Sequence, residues 1–350
     1  MTIYLPLLTI CYILCVIISG YGRRKQQEFL ICLLLLTTLA ITFRDPMTWS
    51  DTQGYLNSFQ YHTKDLFTFT LHDPMASYSE RGFYLIGVVV KTFTENQRCY
   101  LLVVAALSMY LLYKDLRRYA VYPLIVLCLY LARFGFGRHF VQMRAGLAIT
   151  IVVWGLRYIT RRQPWRYLAV IICASLIHTS ALIVLPTYLL NGIPLKKGHV
   201  VIILLGALLF AATCRTSIRT NVSLWAVETE MASSYTSERQ TVKSQGQGLY
   251  NPMILYQSAL LLLLTFHERK LRETTPHYIT FRNGYLYSTV WLIVLSSFQI
   301  LAGRGSTITA TYECFFLPLF IHLFRGRDRL IPYIALYLYI IIWLTINIHK

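Results

Sequence analysis

Residues 23–43 read RRKQQEFLICLLLLTTLAITF, a basic cluster followed by a long apolar run. A helix needs about 20 predominantly apolar residues to cross the hydrocarbon core of a bilayer. Basic residues beside such a run hold the adjoining segment in the cytoplasm. The stretch therefore predicts a membrane-spanning helix that starts at the inner surface and ends outside.

The rest of the chain repeats this pattern. Hydrophobic residues make up 56% of the 350 residues and charged residues 14%, whereas soluble domains average about 45–50% and about 25%. We predict an all-α, polytopic transmembrane helical bundle, a single domain over 1–350 with about 11–13 membrane segments, some broken or re-entrant. The other apolar runs lie at 3–20, 82–94, 98–113, 119–134, 140–158, 166–190, 199–214, 251–266, 284–302, 312–325 and 330–348.

The formal net charge of +18 does not indicate a nucleic-acid site. The basic residues fall in short clusters between apolar runs, whereas a nucleic-acid site needs one solvated face that combines basic and aromatic side chains. The eight cysteines lie in or beside apolar runs, and none forms a CxxC pair. We therefore expect them to be small hydrophobic side chains in the lipid phase, with no metal site and no nucleic-acid partner.

The basic clusters also predict which segments face the cytoplasm. No basic residue precedes the first run, so we expect an uncleaved helix with its N-terminus outside. The outward segments are 44–80, 135–139, 215–250 and 303–311, of which 44–80 and 215–250 are long loops. The aromatic residues of the first loop predict an amphipathic helix at the membrane surface. The cytoplasmic turns are 23–25, 114–118, 157–166, 195–199, 267–282 and 325–329.

Two stretches do not fit simple alternation across the membrane. Both ends of 166–190 are predicted to be cytoplasmic, which indicates two half-helices that meet near His178, or a re-entrant hairpin. The stretch 82–113 must cross an odd number of times, yet it divides into two runs at Lys91–Arg98. Breaks inside a membrane are tolerated where protein or water satisfies the freed backbone groups, so broken helices often line a cavity.

The ionisable residues on the predicted outward side are rich in arginine. The charge rule predicts few basic residues there. Arginine binds phosphate through a planar, bidentate fork and keeps its charge, so this asymmetry indicates an anionic ligand such as a lipid diphosphate. The outward set comprises Arg44, Asp45, Asp51, Glu80, Arg81, Arg138, His139, Arg144, His178, Arg215, Arg219, Arg304 and Glu313.

The basic members of this set also have structural interpretations. Arg144 lies within an apolar run and either binds a ligand or forms a structural ion pair. Arg138 and His139 follow a glycine-rich break at 135–137 and fit an ordinary loop equally well. His178 fits either a catalytic role or a hydrogen-bonded contact between helices.

The acidic members and the last arginine have similar alternatives. Glu80 stands next to Arg81, with which it can form a local surface pair. Asp51 fits a solvated loop as well as a site. Arg304 lies between two glycines, which predicts a flexible outward turn where it pairs with Glu313 or binds a phosphate.

Four segments and one arginine carry a family resemblance. They are 44–55 (RDPMTWSDTQGY), 80–84 (ERGFY), 142–148 (QMRAGLA), 174–181 (ASLIHTSA) and Arg304. In order and spacing they resemble the EpsG-type branch of Wzy polysaccharide polymerases, which assemble O-antigen, capsule or exopolysaccharide. That branch typically has an arginine before a Gly-Thr-Asp-like step, a Glu-x-Gly-Tyr helix entry, an Arg-Gln-Gly-Leu-Ala helix start and an Ala-x-x-x-His-x-Ser-Ala segment.

Three positions depart from the pattern of that branch. Val141 stands where asparagine is usual, Ala145 where glutamine is usual, and Ser50 where threonine is usual. The polar roles of those missing side chains are therefore not expected in this chain. The arginine and the histidine of the two helix motifs are kept.

The resemblance implies a multi-pass protein of the bacterial inner membrane. It implies a metal-independent glycosyltransferase that joins undecaprenyl-diphosphate-linked oligosaccharide repeat units on the periplasmic side. The implied partners are that oligosaccharide, membrane lipids and a chain-length regulator. Arginines would stabilise the diphosphate leaving group without a cofactor, and the acceptor hydroxyl needs at most one base. The expected diphosphate ligands are Arg44, Arg138, Arg144 and Arg304, and the expected base is His178, with Asp51 or Glu80 as alternatives.

Two other classes of function stay open from the sequence. An O-antigen ligase uses the same donor with a lipid A-core acceptor. A transporter of lipid-linked oligosaccharide binds the same lipid and catalyses nothing, although the inverted repeats common in alternating access are not seen in the sequence. A membrane O-acyltransferase is a more remote alternative.

Overall fold

The computed structural model describes residues 4–48, 50–70, 80–191, 193, 195–214 and 248–348. Within these residues the chain forms α-helices with short 3-10 and π-helical segments and no β-strand, which confirms the predicted all-α polytopic bundle. Several apolar helices of 10–17 residues accompany those long enough to span. Among the described residues, five helices are long and apolar enough to cross a membrane: Arg23–Thr42, Gln97–Tyr119, Pro123–Val141, Met143–Thr160 and Gly326–Asn347.

The chain divides into two compact units. Unit 1 comprises Met1–Leu182 and Cys314–Lys350, and unit 2 comprises Ile183–Glu313. The described helices within Met1–Leu182 are α1 (Tyr4–Ser19), α2 (Arg23–Thr42), α3 (Ser50–Asn57), α4 (Arg81–Phe93), α5 (Gln97–Tyr119), α6 (Pro123–Tyr130), α7 (Met143–Thr160) and α8 (Pro164–Ile177). Two π-helical segments, Ser58–His62 and Leu131–Val141, continue α3 and α6, and a 3-10 segment, Pro46–Thr48, precedes α3.

The remaining helices run from unit 2 to the end of the chain. In order they are α9 (Thr187–Leu190), α10 (Lys197–Thr213), α11 (Pro252–Phe266), α12 (Glu268–Arg272), α13 (Tyr278–Val294), α14 (Gln299–Ala310), α15 (Tyr312–Phe316) and α16 (Leu330–Ile348). The 3-10 segments are Thr179–Val184, Gly248–Tyr250, Leu317–Leu323 and Gly326–Arg329. The last helix matches the apolar run predicted at 330–348.

The two irregular stretches break where the sequence predicted. α4 and α5 are separate helices, and the Asn96 side chain caps α5 by accepting a hydrogen bond from the backbone N–H of Arg98 at 2.8 Å. α8 ends at His178, whose backbone is extended (φ −157°, ψ 116°), and a 3-10 segment follows. The stretch 166–190 is therefore divided near His178, in agreement with the half-helix interpretation.

The predicted outward loop at 135–139 is wrong. Leu131–Val141 continues α6 as a π-helix, in which Arg138 and His139 are buried. A π-helix keeps its backbone hydrogen bonds while widening the turn, so the glycines at 135 and 137 do not break the chain. Gly146 of α7 approaches this wide turn so closely that a Cβ there would overlap the carbonyl oxygen of Arg138.

The predicted turn at 303–311 and the single run at 284–302 are also wrong. α13 ends at Val294, and α14 begins at Gln299, so the break lies before the two glycines that suggested a turn. Gly305 lies on α14, where a Cβ would overlap the indole of Trp291 on α13. Gly305 therefore permits close packing of two helices, whereas a Cβ at Gly303 would meet no atom within 4 Å.

Three cysteines of unit 1 converge in the packed helices. Cys11 and Cys15 lie one turn apart on α1, and Cys128 lies on α6. Their sulfur atoms all lie within 4.8 Å of one another, and all described cysteines are free thiols. The spacing would allow a soft metal ion to be held, so the absence of a metal site stays a prediction.

Candidate functional site

The site in unit 1 begins at the N-terminus of α4. Glu80 precedes this helix and its backbone carbonyl accepts a hydrogen bond from the N–H of Tyr84 at 3.0 Å. A carboxylate is stabilised at a helix N-terminus by the unsatisfied N–H groups and the helix dipole. Gly82 lets this end approach α8, because a Cβ there would lie 2.8 Å from the carbonyl oxygen of Leu176.

That close approach brings Glu80 against the break in α8. The extended backbone of His178 ends the helix, and its ring Nδ1 lies 2.7 Å from Oε1 of Glu80. The hydroxyl of Thr179 donates to the same oxygen at 3.4 Å. The side chains of His178 and Glu80 are each 15% exposed. With Nδ1 donating to the carboxylate, the other ring nitrogen, Nε2, carries the lone pair that can accept a proton.

Arg144 completes the group from the first turn of α7. Its Nη1 forms an ion pair with Oε2 of Glu80, and its Nε donates to the hydroxyl of Tyr55 at 3.3 Å. The side chain is 31% exposed. A guanidinium carries five N–H donors, and within the described part of the chain Nη2 has no hydrogen-bond partner. Glu80, Arg144 and His178 are called the Glu80 cluster below.

The electrostatics of the cluster keep its carboxylate charged. Burial alone would raise the pKa of Glu80, but the hydrogen bond with His178 and the positive charge of Arg144 lower it to about 2. A group with so low a pKa is a weak base near neutral pH. The expected local pair of Glu80 with Arg81 is wrong, because the carboxylate pairs with residues from α7 and the end of α8.

Arg44 lies beside the start of α7 and is 7% exposed. Its guanidinium donates to the carbonyl of Ile41 at 2.5 Å and to the hydroxyl of Thr52 at 3.0 Å. Thr52 in turn donates to the carbonyl of Phe140 at 2.9 Å. Arg44 therefore ties the end of α2 to α3 and to the π-helical segment after α6.

Arg138 and His139 are buried in the π-helical segment. The guanidinium of Arg138 lies 4.1 Å from the ring centroid of Phe134. His139 Nε2 and the hydroxyl of Tyr130 are 2.8 Å apart and share a hydrogen bond. Both residues pack against aromatic side chains, so the alternative of an exposed loop is wrong.

Asp51, the remaining candidate base, lies on α3 and lines a cavity that Arg144 and Tyr55 also border. The sequence assigns Tyr55 both to an amphipathic surface helix and to the segment 44–55 that carries the family resemblance. Phe59 was assigned to the same surface, yet it is buried and stacks on Tyr100 with ring centroids 4.5 Å apart. Tyr61 is 72% exposed, so the segment is amphipathic and turns one side into the protein.

The last two predicted site residues belong to unit 2. Arg304 is exposed on α14, and its backbone carbonyl accepts a hydrogen bond from the hydroxyl of Thr307 at 3.0 Å. Glu313 is fully buried and accepts a hydrogen bond from the hydroxyl of Tyr285 at 2.9 Å. Arg215, Arg219 and residues 215–247 of the second predicted loop lie outside the described residues.

Fold and cluster together define an all-α polytopic membrane bundle with a charged carboxylate–histidine–arginine group at broken helix ends. The EpsG family model matches residues 28–350, and the chain belongs to this family. The family is one of Wzy-like polysaccharide polymerases, which confirms the resemblance and supports a polymerase function in general terms. Neither a curated protein nor a solved structure matches the chain.

Proposed function

We propose that this chain is a bacterial inner-membrane glycosyltransferase that joins oligosaccharide repeat units carried on undecaprenyl diphosphate. The transfer takes place on the periplasmic side, without a metal ion. Family membership supports the general class, and the Glu80 cluster is the observation that carries the mechanism. It combines a candidate base, a group that orients the base and a cation for the leaving group.

His178 is the proposed base. Its Nδ1 is held by Glu80 at 2.7 Å, so the ring is fixed in the tautomer whose Nε2 accepts the proton of an acceptor hydroxyl. Glu80 stays ionised because its pKa is about 2, and it stabilises the imidazolium that forms. Glu80 is therefore a positioning residue in the proposal, and Asp51 is the alternative base.

Arg144 is the proposed main ligand of the diphosphate. Its 31% exposure and the donors of Nη2 support this role, because a charge-assisted hydrogen bond to phosphate is stronger than a neutral one. The resemblance also implies Arg44, Arg138 and Arg304 as diphosphate ligands. Of these, Arg44 and Arg138 are buried, so their part is to hold the wide turn and the start of α7 that position Arg144.

The transfer step is a substitution at a sugar carbon. The acceptor hydroxyl oxygen of the incoming repeat unit bonds to the anomeric carbon of the growing chain, and its proton passes to His178. The bond from that carbon to the diphosphate oxygen breaks, and its electron pair leaves with the diphosphate. Arg144 stabilises the negative charge that develops on the leaving group. The lipid diphosphate then takes the proton, which restores neutral His178.

A deletion strain tests the function against its alternatives. Loss of a polymerase leaves surface glycan of one repeat unit, whereas loss of a ligase or of a lipid transporter leaves none attached. We expect the ladder of glycan lengths to collapse to a single repeat and to return on complementation with the wild-type gene. Absence of all attached glycan would contradict the proposal.

A further inference from the structure

A cavity of about 540 Å³ lies beside the Glu80 cluster. It is bounded by α3 and its π-helical extension, the first turns of α4, Tyr100 of α5 and Arg144 of α7. Its volume falls in the range of roughly 300–1,000 Å³ typical of small-molecule sites. We call it the aromatic cavity. The Glu80 cluster meets it through Arg144, because that side chain both lines the cavity and pairs with Glu80.

The aromatic rings that line this cavity are held in place by one another. Phe83 meets Tyr55 edge to face at 5.7 Å, and Phe59 stacks on Tyr100 at 4.5 Å between centroids. Rings packed in pairs keep a fixed orientation. Phe59, Phe83 and Tyr100 are buried, so half-buried Tyr55 provides the accessible aromatic surface of the cavity. The C–H face of a sugar ring packs well against such a surface, while its hydroxyl groups project around the edge.

Polar side chains also line the cavity. Asp51, Asn57, Ser58 and His62 offer donors and acceptors along one wall. The π-helical segment Ser58–His62 carries two of them. Lys91 holds this segment, because its ammonium donates to the backbone carbonyl of Gln60 at 2.6 Å. An acyl chain would leave such polar groups without partners, which is unfavourable. A sugar would replace the lost water with its own hydroxyl groups.

We propose that the aromatic cavity binds the non-reducing end of the acceptor oligosaccharide. The inference rests on the proposed function and deepens it, because it assigns the second substrate to a place distinct from the diphosphate. The sugar ring packs against Tyr55, and the polar side chains of α3 and its π-helical extension select among sugars by the positions of their hydroxyl groups. Arg144 at the boundary sets the distance between the acceptor and the leaving group.

Gly54 offers a direct way to fill the cavity. It lines the cavity on α3, and a Cβ at this position would meet no atom within 4 Å. A leucine side chain there can grow into the open space without a clash at its Cβ. Gly206 on α10 is a matched control, since it is also helical and a Cβ there meets nothing within 4 Å. His62→Ala is a second variant, because His62 is exposed and its loss should not affect folding.

The probe is a methyl glycoside of one repeat unit, prepared from the polysaccharide of the producing strain. It has the acceptor end but no diphosphate leaving group, so it cannot act as a donor. Saturation-transfer NMR on purified protein should show binding to the wild type and to Gly206→Leu. We expect at least tenfold weaker binding to Gly54→Leu and a smaller loss for His62→Ala. Equal binding to all four proteins would overturn the assignment.

Three further outcomes test the inference, and the first two separate it from the proposed function. Binding that is sensitive to Gly54→Leu, in a protein that does not polymerise lipid-linked units, would support the cavity and contradict the proposed function. Polymerisation by Gly54→Leu at the parental rate and acceptor KM would contradict the cavity alone. If Gly54→Leu abolishes the binding of an alkyl-chain probe and leaves glycoside binding intact, the cavity holds lipid. That result would overturn the inference.

Discussion

Two carboxylate–arginine pairs, one in each unit, have the same charges and different surroundings. In unit 2, Arg282 pairs with Glu268 at 2.9 Å and also donates to Asn283 Oδ1 at 3.2 Å and to the carbonyl of Leu195 at 3.0 Å. Its side chain is 1% exposed. In unit 1, Arg144 is 31% exposed, and Nη2 has no partner among the described residues.

The difference separates a structural pair from a reactive one. A buried guanidinium whose donors are used stabilises the fold, and removal of its partners leaves polar groups unsatisfied. A guanidinium with donors to spare, beside a cavity and a histidine, can bind an anion without breaking its own pair. The presence of an ion pair is therefore not what marks the site. What marks the site is that Arg144 has hydrogen-bond donors that its ion pair does not use.

The largest effect is expected from His178, because the Glu80 cluster contains a histidine and the pair of Arg282 with Glu268 does not. General-base catalysis typically contributes about 10²–10⁴-fold, so His178→Ala should reduce the rate of polymerisation by that order while the protein stays folded. His178→Gln should be nearly as inactive, because its amide cannot accept the proton usefully. Purified variants are compared with lipid-linked repeat units as substrate. His199→Ala, a change at an exposed histidine, is the control and should keep full activity.

A glutamine variant with parental activity would return His178 to the role of a helix contact. In that case Asp51→Asn should abolish activity, since Asp51 lines the cavity and is the alternative base.

The second effect compares the two arginines directly. Arg144→Lys keeps the charge and loses the fork, which costs about 1.5–3 kcal/mol per charge-assisted hydrogen bond and hence roughly a ten- to hundredfold loss of rate. Arg282→Lys should lower the free energy of unfolding by about 1–3 kcal/mol, because it leaves buried acceptors unpaired. Its activity per folded molecule should stay unchanged. Thermal melts and rates at matched folded protein test both, and the reversed pattern would invalidate the comparison.

A smaller effect is expected from the packing that brings the cluster together. The Cβ of Gly82→Ala would lie 2.8 Å from the carbonyl of Leu176, a backbone atom, so α4 must shift and carry Glu80 away from His178. We expect about a tenfold loss of rate, because small misplacements of catalytic groups are costly. Gly206→Ala, at a position without neighbours within 4 Å, serves as the control. Undiminished activity of Gly82→Ala would show that the approach is not required.

The last effect concerns the dependence of stability on pH and leaves the rate of polymerisation aside. The folded protein lowers the pKa of Glu80 from 4.5 to about 2. The carboxylate therefore contributes about 3 kcal/mol to the free energy of unfolding above pH 4.5. This contribution should decrease as the pH falls from 4.5 towards 2, where both folded and unfolded states are protonated. Thermal melts of the wild type and of Glu80→Gln should therefore converge on acidification. A constant difference between them over this pH range would contradict the ion pair.

Sequence reasoning predicted local breaks better than distant contacts. The division of 166–190 at His178 followed from the basic residues at both ends of one apolar run, which is a signal contained in that stretch. The pairing of His178 with Glu80 is different, because it depends on a glycine of α4 packing against α8. No local pattern indicates which of several carboxylates reaches a histidine 98 positions away.

Glycine was the least reliable guide. The sequence predicts that the glycines at 135, 137, 303 and 305 break or loosen the chain, yet all four lie in helical segments. The sequence shows that a glycine has conformational freedom. Whether that glycine allows close packing depends on the residue that packs against it. Gly146 and Gly305 show that use, and only the structure reveals the carbonyl and the indole against which they pack.

Reconstitution tests the central claim most directly. The purified chain is mixed with repeat units linked to undecaprenyl diphosphate, with no other protein present, and the products are separated by size. We predict a ladder at multiples of the repeat unit and one released lipid diphosphate for each new bond, both lost in His178→Gln. Bound lipid-linked substrate that never grows beyond one repeat unit would contradict the account.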